Sequence, residues 1–217
     1  MRIKWLGHSC FLFQSEQSAV RILIDPYRAG AYDGAIGYRP VREAVDIVLL
    51  THDHPDHAGL DALPGRPLVV RREASACGVS FDTIEFAHDD QGGNLRGRVQ
   101  AFLFELDQVR IAHLSDLGCL PTREQYIELE GTQVLLIPVG GRYTLDGPAA
   151  WEVCKAVGPN VVIPMHFKTA KVAMDLAPVD PFLALQRRIC RIPQTTLRVD
   201  AGSLPEAITT VVLTPEN

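Results

Sequence analysis

No apolar run in this chain of 217 residues approaches the length of about 20 that a membrane-spanning helix requires. No secretory leader is expected either, since Met1 to Lys4 run straight into an apolar alternation, with no charged-then-apolar segment and no small-residue cleavage site. These absences predict a cytoplasmic protein with no membrane partner. Cysteine is scarce and unpaired in spacing. Cys10, Cys77, Cys119, Cys154 and Cys190 form no CxxC pair, and an odd count in an intracellular setting predicts free thiols. A basic excess is also absent. The net charge of −5 argues against a broad surface for duplex nucleic acid, although it says nothing about a single cleft. Low-complexity tracts, heptads, repeats and Pro/Gly/Ser linkers are all lacking, so residues 1–217 are expected to form one domain. With 47% hydrophobic residues the chain can bury one sizeable core.

What is present begins with strands. Arg2 to Leu6, Cys10 to Gln14 and Val20 to Ile24 are short apolar or alternating runs, broken by Gly7-His8-Ser9 and by Ser15 to Ser18. Pro26 to Pro40, rich in Gly, Tyr and Arg, reads as a surface loop of functional length. Further strands are expected at Asp46 to Leu50, Leu68 to Val70 and Thr83 to Phe86. Val99 to Leu106 and Val109 to Leu114 should form a hairpin around Asp107-Gln108. Later, helices at Arg123 to Glu130 and Ala149 to Val157 alternate with strands at Val134 to Ile137 and Val161 to Met165. Asp180, followed by Pro181, should open a last helix with basic residues at its end. Strands first, then alternating helix and strand, predict an α/β (α+β) fold of sheets covered by helices.

The histidines carry the chemistry. Three of the seven lie in His52-x-His54-x-Asp56-His57, directly after a strand and interrupted by Pro55, hence in a turn rather than a helix. Imidazole and carboxylate are good ligands for zinc and other borderline divalent ions. Four such side chains packed so tightly suit two ions better than one. The other candidates each follow a predicted strand: His88 after Thr83 to Phe86, Asp116 after Val109 to Leu114, and His166 after Val161 to Met165. Strand ends on one sheet edge are where binding residues gather in α/β folds. Singly, His88 could be a surface residue, His166 a cap or core residue, and Asp116 a turn cap before Leu117-Gly118. Together with the dense motif those readings weaken.

The order HxHxDH, His, Asp, His resembles the metallo-β-lactamase superfamily. Gly7-His8-Ser9-Cys10-Phe11, Ile24-Asp25-Pro26, His113-Leu114-Ser115-Asp116, Pro138-Val139-Gly140-Gly141 and Ile163-Pro164-Met165-His166-Phe167 extend the likeness along most of the chain. They resemble a branch of stand-alone hydrolases that includes the ascorbate-6-phosphate lactonase-like proteins. Ser115 stands where glycine is usual before the aspartate. The resemblance implies a four-layer αβ/βα sandwich with the metals at one edge between two sheets. It also implies that His52, His54 and His88 hold one metal, that Asp56, His57 and His166 hold the other, and that Asp116 bridges.

Three polar residues of these motifs are left over. A metal-ligating imidazole usually needs its second nitrogen held, which Asp25 could do, or Asp25 could simply cap the turn before Pro26. His113 is either a hydrogen-bonded core residue or a member, with Asp56 and Asp116, of the catalytic set. His8 could reach the site or tie loops together.

Two divalent ions, zinc first, manganese as the alternative and iron behind both, would lower the pKa of a shared water to about 7. The resulting hydroxide would attack a carbonyl carbon or a phosphorus. Arg142, Tyr143 and Lys168 beside the late motifs, with Tyr27, Arg28, Tyr38 and Arg39 in the early loop, fit a small anionic ester, lactone or phosphodiester. Ordinary solvated surface residues are the competing reading for each. Two rival functions stand beside hydrolysis: a catalytically silent metal-binding regulatory module, and an iron-dependent redox protein.

Overall fold

The structure, a computed structural model, describes residues 1–216. In β1 (Arg2–Gly7), β2 (Cys10–Gln14), β3 (Arg21–Ile24) and β4 (Ile47–Leu49), period-two alternation sorts side chains between two layers. Ile3, Trp5, Phe11, Phe13, Ile22, Ile24, Ile47 and Leu49 enter the main core, while Leu12, Leu23 and Val48 enter a second cluster on the opposite face. With β5 (Leu68–Val70) and β13 (Thr196–Arg198) these strands form a six-stranded sheet in the order β13-β1-β2-β3-β4-β5.

The second sheet comprises β6 (Ala74–Ala76), β7 (Val79–Ala87), β8 (Arg98–Leu106), β9 (Val109–His113), β10 (Val134–Pro138), β11 (Val161–Met165), β12 (Ile189–Arg191) and β14 (Thr209–Val212). Its order is β12-β14-β11-β10-β9-β8-β7-β6. Every residue of β10 and β11 is buried, which explains why their sequences are continuous apolar runs rather than alternating ones. The helical segments are the single turn α1 (Ala31–Gly34), α2 (Arg123–Glu128), α3 (Gly147–Val157) and α4 (Asp180–Leu183), and α3 packs against β10 and against α4. Asp146 caps α3 by accepting from the Ala149 N–H at 2.9 Å, and Gly158 ends it in a left-handed conformation.

Among the described residues no long helix covers the outer face of the six-stranded sheet. Tyr27, Ala31, Ile36, Tyr38 and Val41, with Val172 and Leu176, pack there on Leu12, Leu23 and Val48. The segment expected as a surface loop is therefore a packed layer, because its aromatic and aliphatic side chains have a sheet face to cover. The architecture is the expected α/β sandwich, two sheets face to face with thinner outer layers.

The hairpin between β8 and β9 turns at Asp107 and Gln108, whose φ angles of 51° and 64° fit a two-residue turn. β6 and β7 form an additional hairpin, so the strand expected at Thr83 to Phe86 is the end of a longer one. The expected last helix is a single turn, Asp180–Leu183. Arg187 and Arg188 lie beyond it, where the chain turns into β12. All five cysteines are free thiols. Among the described residues no helix is long and apolar enough to cross a membrane.

Candidate metal centre

Strand directions bring the candidate ligands together. β3 and β4 are parallel, and β1 runs the same way because β2 is antiparallel to both of its neighbours. In the other sheet β9, β10 and β11 are parallel, and β7 shares their direction through antiparallel β8. His8, Asp25, the segment from Thr51 to His57, His88, Asp116 and His166 all follow the C-terminal ends of these co-directional strands, the edge where α/β sheets gather binding residues.

Asp116 lies at the middle. Its Oδ2 is 3.1 Å from His57 Nε2, 3.4 Å from His88 Nε2, 3.4 Å from His166 Nε2 and 3.9 Å from His52 Nε2. Two groups of donor atoms flank it, one from His52, His54 and His88, the other from His8, Asp56, His57 and His166. Asp116 therefore contacts histidines of both groups. His57 Nε2 and Asp116 Oδ1 are buried without a hydrogen-bond partner. Leaving such atoms unpaired is costly unless another species takes their lone pairs. His52 Nε2 and His54 Nδ1 are 3.1 Å apart. Two nitrogens on one tetrahedral zinc, at Zn–N of about 2.0–2.1 Å, are separated by about 3.3 Å. The donor chemistry, orphaned atoms and spacing fit divalent metal.

A hydrogen-bond chain orients the rings. Asp25, fully buried, accepts from the Thr51 N–H at 2.9 Å, from the Thr51 hydroxyl at 2.7 Å and from His57 Nδ1 at 2.8 Å. His57 is thereby left with Nε2 facing Asp116. Since the Thr51 proton goes to Asp25, Thr51 Oγ1 accepts from Ser115 Oγ at 2.6 Å and from His52 Nδ1 at 2.9 Å, leaving His52 Nε2 as a lone-pair donor. Ser115 has φ 51°, the left-handed region in which glycine is unstrained. That accounts for the usual glycine there; the serine adopts the same backbone and adds a bond to Thr51.

Charge at the centre is set by neighbours against burial. Burial would raise the pKa of Asp116, but His166 and His57 outweigh it and hold the carboxyl well below its ordinary value. Burial likewise opposes ionisation of Asp56, and His57 and His8 overcome it. His57 is driven up despite burial by Asp116, Asp56 and Asp25. His8 and His52 go the other way: burial pushes them down to about 4 and about 3, assisted by His166 and His57 respectively.

The remaining expected residues divide. His8 Nε2 meets Asp56 Oδ2 at 3.0 Å, so His8 holds a candidate ligand. Both nitrogens of His113 brace backbone: Nε2 donates to Ser9 O at 3.0 Å and Nδ1 accepts from the Ser115 N–H at 3.2 Å. Arg142 is paired with Asp175, and Lys168 donates to Met174 O at 2.7 Å. Neither lines the cavity of about 290 Å³ over the cluster, which is bounded by His54, Asp56, His88, Asp116 and His166 together with Tyr32, Arg96, Tyr143 and Met174.

Of these, Tyr32 donates its hydroxyl to Asp56 Oδ1 at 3.0 Å from a left-handed turn at φ 53°. Nothing in the spacing between residues 32 and 56 signals that contact. Thr51, immediately before the HxHxDH run, is another residue that position alone could have flagged.

Two glycines admit close approach at this edge. A Cβ on Gly118 would lie 2.3 Å from the Asp89 nitrogen and 2.3 Å from the His88 carbonyl carbon, and one on Gly140 would lie 2.0 Å from His166 O. Both backbones press against residues that carry or adjoin ligands.

This fold and donor set define a metal-binding α/β sandwich protein. A family model described as the beta-lactamase superfamily domain matches residues 2–166, and the chain belongs to the metallo-β-lactamase superfamily. It is 28% identical over 203 residues to a metal-dependent hydrolase of Methanospirillum hungatei, covering 82% of this chain and 88% of that one. A metal-dependent hydrolase of Methanoregula boonei is 30% identical over 202 residues, covering 81% and 86%. The crystal structure of a putative Zn-dependent hydrolase of the metallo-beta-lactamase superfamily from Thermotoga maritima superposes with a TM-score of 0.80 at 29% identity, covering 99% of each chain.

Proposed function

We propose that this protein is a metal-dependent hydrolase that cleaves a small anionic ester, lactone or phosphodiester at the cluster around Asp116. The hydrolase class is that of its relatives in two archaea and of the Thermotoga maritima structure. The observation that carries the reading is the position of Asp116 Oδ2, within 3.9 Å of four imidazole Nε2 atoms drawn from two donor groups.

His52, His54 and His88 would hold one divalent ion and Asp56, His57 and His166 a second, with Asp116 shared. Zinc suits these donors best and manganese is the alternative. Bound metal would supply Lewis acidity toward the scissile group and lower the pKa of a coordinated water to about 7. The chain supplies the rest. Asp25 and Thr51 fix the ring orientations of His57 and His52, while His8 and Tyr32 hold the two oxygens of Asp56. Asp56, kept ionised, can help orient the incoming nucleophile while remaining a ligand. The convergence of all seven ligand-type side chains weighs against a silent regulatory module.

Elemental analysis of the protein as purified, beside Asp116→Ala, tests this reading, followed by assay of metal-loaded wild type on esters, lactones and phosphodiesters. About two zinc or manganese ions per chain, reduced in the variant and accompanied by turnover, is the expected result. One ion per chain would rule out the dinuclear arrangement. Turnover of neutral amides with no anion hydrolysed would rule out the substrate class.

A further inference from the structure

We propose that Arg96 is the anion-recognition residue of this site, receiving a carboxylate or phosphate group that the substrate carries beside its scissile bond. The proposal rests on the hydrolytic reading above and names a residue and ligand chemistry that the motifs do not contain.

Arg96 lines the cavity of about 290 Å³ over the candidate ligands and also the adjoining cavity of about 320 Å³, and only Tyr143 shares both walls with it. Three other arginines are committed to carboxylates: Arg142 to Asp175, Arg98 to Glu85 and Arg28 to Asp61. Arg96 has no carboxylate partner among the described residues. Its guanidinium carbon instead lies 5.0 Å from the centroid of the Tyr143 ring. Stacking on an aromatic face engages the flat side of a guanidinium and leaves its N–H edge open to a two-oxygen anion.

The loop carrying Arg96 is fixed by Asp89, the residue after His88. Asp89 Oδ1 accepts from the Gln91 N–H at 2.9 Å and the Gly93 N–H at 2.7 Å; Oδ2 accepts from the Leu95 N–H at 2.9 Å and the Arg96 N–H at 2.8 Å. Asp89 is thus spent on the loop rather than on the guanidinium. The backbone that positions Arg96 is tied to the one that delivers His88, so cation and metal ligands are pre-organised together.

Chemistry on the two sides of Arg96 selects the inner cavity for the anion. The outer cavity carries Asp89, Asp90 and Asp146, and its other cation, Arg142, is neutralised by Asp175. The inner one carries Asp56 and Asp116, whose charge divalent metal would offset, and its other walls are Tyr32, Tyr143 and Met174. Small-molecule sites occupy about 300–1,000 Å³, and this cavity lies at the lower end. The ligand class is a short-chain ester, lactone or phosphodiester bearing one carboxylate or phosphate.

The test compares metal-loaded wild type with R96A, R96K and R142A. Inorganic phosphate and acetate are titrated into each by calorimetry, and thermal unfolding checks that each variant is folded. The expected result is a loss of phosphate or acetate affinity of at least tenfold in R96A and a smaller loss in R96K; whichever probe responds identifies the anion. A change below twofold for both probes in R96A, or a larger loss in R142A than in R96A, would overturn the proposal. A second assay uses two 4-nitrophenyl esters of equal chain length, one ending in carboxylate and one in methyl. The kcat/KM ratio of charged to neutral ester should fall at least tenfold in R96A. Arg96-dependent phosphate binding without turnover of any ester would remove the hydrolytic reading and retain the anion site. Turnover whose charge selectivity ignores Arg96 would do the reverse.

Discussion

His57 Nδ1 donates to Asp25 Oδ2 at 2.8 Å, and neither side chain has any exposed surface. The same carboxylate takes both the backbone and hydroxyl protons of Thr51, so one residue at the end of β3 orients the segment that carries four candidate ligands. Asp25→Ala should strand these donors in the core. Loss of a partner behind a ligating histidine typically weakens metal affinity about 10–100-fold. Metal retained after dialysis against a graded chelator series checks this; affinity equal to wild type would remove Asp25 from the site.

Tyr32→Phe removes the bond to Asp56 Oδ1 while leaving the ring in place. Tyr32 is 45% exposed, so the folding midpoint in urea should change little. A less constrained Asp56 should lower kcat by about tenfold, about 1.4 kcal/mol of barrier, with metal content intact. A raised KM at constant kcat would assign Tyr32 to substrate binding instead.

Gly118→Ala places a methyl group against the His88–Asp89 backbone, where rigid main chain rather than a flexible side chain must yield. Overpacking of this kind costs about 1–3 kcal/mol. Urea unfolding should register that loss, and metal content should fall because the displaced segment holds His88.

Acid should destabilise the metal-free protein before ordinary carboxylate titration begins. His8, His52, His88 and His113 all have folded-state pKa values below the ordinary 6.5, chiefly through burial. Above pH 6.5 neither folded nor unfolded chain protonates them. As pH falls below it the unfolded chain binds protons that the folded chain refuses, so stability is lost by up to about 1.4 kcal/mol per group per pH unit. For His8 the loss continues to about pH 4 and for His52 to about pH 3. His57, raised, acts in a different window: its contribution is complete below pH 6.5 and lost only as pH rises above it. The four lowered groups therefore give a net decline from pH 6.5 downward. Urea midpoints of chelator-treated protein between pH 6.5 and 4.5 measure it, and a flat or rising profile would contradict these buried neutral states.

Much of the candidate site was legible because its candidate ligands sit at the ends of strands that local pattern reveals. The runs before His52, Asp116 and His166 are apolar enough to mark β4, β9 and β11, and the next polar residues fall at the sheet edge. Asp25 was legible in the same way, as the first polar residue after β3. His113 was not: in sequence it adjoins the Asp116 motif, yet its bonds run to Ser9 O and the Ser115 N–H. β12, β13 and β14 also escaped. β12 and β13 are only three residues long, and their pairing depends on partners far away in the chain.

The sequence by itself determined which side chains can bind metal and which strands deliver them, because donor chemistry and strand period are properties of neighbouring residues. Only the tertiary structure decided what surrounds them. It laid residues 26–41 over a sheet face and brought Tyr32 to Asp56. It committed Arg142 to Asp175 and left Arg96 on the cavity wall. Those outcomes depend on where loops from distant segments close against two sheets. A loop has no hydrophobic period from which its endpoint can be read, so its contacts are fixed only once the sheets it covers have packed.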